Sequence, residues 1–194
     1  IAVAVVDVLK IKLLGEQKVA LLKRRTQNSK AYEFYLRGLS HFNKWTPVDF
    51  EKAIEYFGKA IELDPGYASA YCGLADAYTE LGFFSFRSSS KDSGVMARDA
   101  AESALTLDDS LAEAHNSMAL IKMYFDWDYN GAETEFKRAI QLNPGNASVH
   151  MWYGWFLGLM ARFDESIREL RLAQELDPLA APNINAIGVV LHWA

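Results

Sequence analysis

Four stretches of this chain can be laid over one another, and that repetition limits the possible folds more than any other feature. They run from Ala53 to Pro65, Ala97 to Asp109, Ala132 to Pro144 and Ser166 to Pro178, with ends 44, 35 and 34 residues apart. Within each, a small residue recurs seven positions on: Ala53 and Ala60, Ala97 and Ala104, Ala132 and Ala139, Ser166 and Ala173. Seven residues make about two helical turns, so each pair shares a face and lets a partner helix approach closely. Phe57, Leu63, Phe136, Leu142, Leu170 and Leu176 add bulk to that face. Pro65, Pro144 and Pro178 then stop the helix, because proline lacks an N–H and disfavours helical geometry in the residue before it. Asp109 replaces proline in the second unit, where a less rigid turn is expected.

Each stretch is preceded by a second helical pattern. Tyr71, Leu74, Ala75 and Tyr78 fall at i, i+3, i+4 and i+7, one stripe of an amphipathic helix. His115, Met118, Ala119 and Lys122 take the same places one unit later, then His150, Tyr153, Gly154 and Leu157. Gly38, Ala75, Ala119, Gly154 and Gly188 are expected where helices cross. A unit of 34 residues made of two such helices and closing on Leu-Asp-Pro or Leu-Asn-Pro resembles the tetratricopeptide repeat, a helix-turn-helix unit.

That resemblance covers about residues 31–194. It implies an all-α fold, a right-handed superhelical solenoid with hairpins at about 31–65, 68–109, 112–144 and 147–178 and a partial one at 181–194. Residues 1–30 do not repeat and are read as a helical lead-in from a preceding domain, with Ala4, Val5, Val8, Leu9 and Leu13 on one stripe. The strings Leu9 to Gln17, Lys23 to Tyr32 and Tyr35 to Gly38 resemble a junction in multidomain bacterial signalling proteins. There, tetratricopeptide repeats follow a transcriptional activator, a protein kinase or an adenylate cyclase. Three departures from the repeat stand out. About ten extra residues fall between Phe83 and Gly94, about three surround Trp45 to Pro47, and Asp126-Trp127-Asp128 stands where the family has a short glycine turn. Such insertions put loops on one edge of a solenoid.

A net charge of −5 argues against direct contact with nucleic acid, which needs a basic face. The single cysteine, Cys72, excludes an intrachain disulfide and a cysteine-based metal cluster. No apolar run reaches the roughly 18 residues of a membrane span, so no membrane insertion of this segment is expected. A cytoplasmic location is expected, with the periplasm open if a transmembrane segment precedes the chain. No glycine-rich phosphate loop, nucleophile elbow or metalloprotease helix motif occurs. His115 and His150 occupy equivalent repeat positions, which repetition explains without a metal. Asp126 and Asp128 are expected to cap the following helix. No enzyme activity, cofactor or metal is therefore expected.

In the family, first helices line a concave groove. Carried over, the groove-facing positions are Ser69, Cys72, Asp76, Thr79, then Glu113, Asn116, Leu120, Met123, then Ser148, Met151, Trp155, Gly158. The family's clamp for C-terminal carboxylates needs lysine and arginine that are missing here, since Cys72 and Met151 stand where lysine is wanted. The resemblance thus points to Cys72, Asp76, Asn116, Leu120, Met123, Met151 and Trp155 as a partner-binding groove, polar at one end and apolar at the other. Either a partner or another helix of the same chain covers the apolar end. Phe83, Phe84 and Phe86 are candidate loop contacts, unless folded back on Tyr78 and Leu81. Ile187, Val190, Leu191 and Trp193 lie on a last helix with no second helix to pair with, and are candidate oligomer contacts. The expected function is a protein–protein interaction module, the sensory or assembly segment of a larger bacterial regulatory protein. Self-assembly as a scaffold and small-ligand sensing by the aromatic groove are the alternatives.

Overall fold

A computed structural model describes residues 26–84 and 90–193, and the expectations for residues 1–25 and for Phe86 lie outside them. The described residues form nine α-helices and no strand. They are α1 (Ser29–Phe42), α2 (Pro47–Leu63), α3 (Ala68–Phe84), α4 (Ser90–Leu107), α5 (Ala112–Ile121), α6 (Tyr129–Leu142), α7 (Ala147–Leu159), α8 (Phe163–Leu176) and α9 (Ala181–Trp193). A five-residue π-turn, Lys122–Asp126, continues α5. Each helix packs on the next, and first helices also touch across units, α1 on α3, α3 on α5, α5 on α7 and α7 on α9. The result is an all-α helical solenoid.

All eight small residues of the second helices have no exposed surface. Phe57, Phe136 and Leu170, four positions after the first small residue, are equally buried. The ring of Phe57 fills the gap left by two glycines, for a Cβ at either Gly38 or Gly73 would come within 2.6 Å of it. Gly154 meets Leu170 in the same way, where an added Cβ would sit 2.7 Å away. Gly188 differs from the expectation: among the described residues nothing lies within 4 Å of a Cβ added there. Leu63 and Leu176 also differ, being exposed at the last turn of their helices, beyond the reach of the paired helix.

The turns between units share one hydrogen-bond pattern. The amide of Tyr67 donates to the Asp64 carbonyl at 3.0 Å, Leu111 to Asp108 at 3.3 Å and Asn146 to Asn143 at 3.1 Å. The second unit, with Asp109 in place of proline, makes the same turn, and Asp108 Oδ1 also accepts from the Ser110 amide at 3.0 Å. Two histidines tie these turns down. His150 Nδ1 lies 2.6 Å from Glu169 Oε2, and its Nε2 lies 2.9 Å from the Pro144 carbonyl. His115 repeats the arrangement with Glu135 at 2.7 Å and the Asp109 carbonyl at 3.0 Å. Both ring nitrogens face acceptors, so the imidazolium is the form that satisfies them. The glutamate bond, with the carbonyl behind it, raises both histidine pKa values.

The insertions have specific structures. Of the ten extra residues, those described lengthen α3 to Phe84 and start α4 at Ser90, so part of the expected loop is helix. Phe125 of the π-turn packs between Gly82 and Gly94, at each of which an added Cβ would fall 2.9 Å from its ring. Asp128 caps α6 by accepting from the Gly131 amide at 2.9 Å. Asp126 does not cap; both its oxygens lie 2.6 Å from Arg98 Nη2. Trp45, Trp127 and Ala161 take left-handed φ angles of 55°, 58° and 58° in the turns inside three hairpins.

Candidate functional site

The concave face is built from the first helices and their turns. Ordinary helix geometry puts Asp76 and Glu80 one turn apart on a single face of α3. The polar end lies around Asp76. Its Oδ1 accepts from Ser117 Oγ at 2.6 Å, while Glu113 Oε1 accepts from Asn146 Nδ2 at 3.1 Å. Burial raises the Asp76 pKa to about 7, with the Ser117 bond opposing and Glu113 adding to the rise. Cys72 is buried there, and burial pushes its thiol well up. Asn116 is buried as well, and its Oδ1 has no hydrogen-bond partner among the described residues.

The apolar end is not an open patch. Leu120 and Met123 lie in the core with Tyr153, Phe156 and Leu157, because neighbouring first helices pack side by side and cover them. Met151 is buried against Leu170, Ala173, Ala186 and Val190, and Trp155 packs on Trp193 with ring centres 5.2 Å apart. Of the proposed oligomer contacts, Val190 is thus interior and Ile187 half-buried, while Leu191 and Trp193 remain exposed. Phe84 folds onto Phe50 and Trp45, and Phe83 onto Tyr124 at 5.0 Å.

Between these walls lies a cavity of about 710 Å³. Trp45, Phe83, Tyr124, Trp152 and Trp155 form its aromatic lining, with Met151, Ala186 and Val189. Asn43 and Asn185 stand exposed at its edge. Trp45 comes from the α1–α2 turn and Trp152 from α7, yet their rings stack at 5.9 Å. The first and fourth hairpins therefore meet across the groove. None of the described lining residues comes from α2, α4, α6 or α8.

Among the described residues, one charged side chain lines this cavity, that of Glu80. It is 2% exposed and makes no hydrogen bond or ion pair with any described residue. Burial, reinforced by Asp76, pushes its pKa up to about 8. Trp45, Trp152, Glu80 and Tyr124 were not among the groove residues carried over from the family. The Trp45–Trp152 contact spans more than a hundred residues and leaves no local pattern. Glu80 carried one signal, a carboxylate in an otherwise apolar run Thr79 to Phe84.

Residues 49–82 match the profile of the TPR repeat, the tetratricopeptide unit. The described residues take the fold of tetratricopeptide-repeat proteins. Its fold matches a thermophilic tetratricopeptide protein of Thermus thermophilus at a TM-score of 0.68 and 19% identity, covering 88% of this chain and 85% of that one. It also matches yeast Tom70 at a TM-score of 0.59 and 21% identity, over 87% of this chain and 35% of that one. By sequence, the chain is 27% identical over 162 residues to the transcriptional regulator HilA of Salmonella paratyphi A. That alignment covers 82% of the chain but spans only 28% of the regulator's length. Among the described residues there is no group of three or more His, Cys, Asp or Glu able to hold a metal, and no helix long and apolar enough to cross a membrane.

Proposed function

We propose that this chain is the protein-interaction segment of a larger bacterial regulatory protein and captures a partner segment on its concave face. The tetratricopeptide fold is that of an interaction module, and the likeness to part of a transcriptional regulator supports the regulatory setting. The observation that carries the groove reading is the cavity, apolar and aromatic, whose described lining comes from first helices and turns. Cavities of this size and lining are the usual form of a recognition site. Asp76 lies one turn from Glu80 towards the polar end, where Cys72 and Asn116 are buried, and Met151 and Trp155 form the cavity wall. Leu120 and Met123 act beneath it by holding α5 on α7.

The test is capture from host lysate by the chain and by its Trp152→Ser variant, with circular dichroism showing that both fold. A partner held by the first and lost by the second is the expected outcome. Equal capture by both would contradict the groove reading. Leu191 and Trp193, exposed on the last helix, favour a second reading, self-assembly through that end. In that case the mass measured by sedimentation rises with concentration, and Leu191→Lys abolishes the rise.

A further inference from the structure

We propose that the concave cavity receives one basic side chain, a lysine or an arginine, carried by the captured segment. This rests on the concave face being the capture surface, and it names the group that face selects.

The chemistry of the lining makes the case. A carboxylate that is almost wholly buried is normally paired or hydrogen-bonded, since leaving it unpaired in an apolar setting is costly. Glu80 has no such partner among the described residues, and it lines a cavity large enough to admit one. The other walls are rings: Trp45, Trp152 and Trp155, with Phe83 and Tyr124. Aromatic faces attract cations through their quadrupole and reject anions, tryptophan most strongly. A carboxylate set among aromatic faces therefore suits a cation borne on an apolar stem, which describes lysine and arginine. Among the described residues, none that lines the cavity is a lysine or arginine.

Two further features favour a side chain of a peptide over a free amine. The Trp45–Trp152 stack closes the groove from one wall to the other, so a backbone cannot run past it without separating the rings. A side chain can enter from the mouth while its backbone stays outside. There, the exposed amides of Asn43 and Asn185 offer both donors and acceptors to a peptide backbone. The surrounding charge agrees, since Asp76 and Glu113 continue the acidic track and the whole chain carries −5.

The test uses the immobilised chain and pools of short capped peptides with a fixed central residue and randomised flanks. The centre is lysine, arginine, norleucine or glutamate. The chain should retain the lysine or arginine pool about ten-fold or more over the norleucine pool, the scale of a buried charge-assisted contact, and should not retain the glutamate pool. Glu80→Gln should abolish that preference. The substitution is mild in the free chain, where burial holds Glu80 largely protonated near neutral pH and the amide matches its shape, whereas a bound cation draws that proton off and glutamine has none to lose. Circular dichroism verifies the fold. Equal retention of lysine and norleucine pools, both lost on Trp152→Ser and indifferent to Glu80→Gln, would overturn the basic-residue assignment and leave groove capture standing. Retention of no pool would also overturn it, with groove capture judged separately by the lysate experiment. Binding of n-butylammonium as tight as that of the lysine pool would show a free-amine site and contradict a segment-borne ligand.

Discussion

At the scale of single residues, two positions carry costs that the rest of the molecule offsets. Ala161 holds a φ of 58° in the α7–α8 turn, a region where a Cβ crowds the following carbonyl. It is exposed, so its side chain contributes little packing. Ala161→Gly should raise stability by about 0.5–1 kcal/mol, seen as a higher urea midpoint with an unchanged slope. A lower midpoint would mean the turn is not left-handed in solution. Glu80 is the second such position. Unfolded, it ionises in the ordinary range near 4.5; folded, burial and Asp76 hold its proton to about 8. A native pKa above the unfolded one makes stability full below about pH 4.5 and lower as pH rises towards 8. The loss by pH 8 is on the order of 4–5 kcal/mol. Glu80→Gln removes that loss, so denaturation should show variant and parent diverging between pH 5 and 8, with the variant gaining on the parent. A constant difference across this window would show that Glu80 is solvated. His115 and His150 lose stability over part of the same range, but equally in both proteins, and cancel from the comparison.

At the scale of elements, the histidine clasp is a repeated device. His150 joins the turn carbonyl of Pro144 to Glu169 on α8, and His115 joins Asp109 to Glu135 on α6. Both native histidine pKa values are raised, so this contribution is complete below the unfolded value near 6.5 and lost as pH rises through the folded one. His150→Gln should cost about 2 kcal/mol at pH 6 and clearly less at pH 9, measured by urea denaturation. An equal cost at both would mean the ring is neutral throughout. The helices themselves were readable because their faces are fixed by local spacing: the pairs seven apart, such as Ala53 and Ala60, mark the contact face without tertiary knowledge. The clasp was half readable. Its register showed in the matching places of His115 and His150, but its glutamates lie 19 and 20 residues further on, across a turn. Gly73 escaped notice because Phe57 uses it from a neighbouring helix, a contact no single-helix stripe reveals.

At the scale of the whole molecule, the limits of sequence reading lie where distant hairpins meet. Repeat positions mark which residues of α5 and α7 face inward. They do not show that packing between first helices buries Leu120 and Met123 while leaving a cavity beside Trp155. Nor do they show Trp45 of the first hairpin reaching Trp152 of the fourth, which bridges the groove and leaves a partly open pocket with Glu80 in its wall. The solenoid thus presents two faces of different character: an inner one with an aromatic, singly charged cavity, and an outer one formed by α2, α4, α6 and α8. The proposed binding surface is the inner face. The most direct measurement is site-specific photo-crosslinking in the host, with a benzophenone amino acid placed at Trp152 in the cavity or at exposed Leu172 on α8. The account predicts a crosslinked partner peptide at position 152 and none at 172. A partner caught at 172 and not at 152 would contradict it.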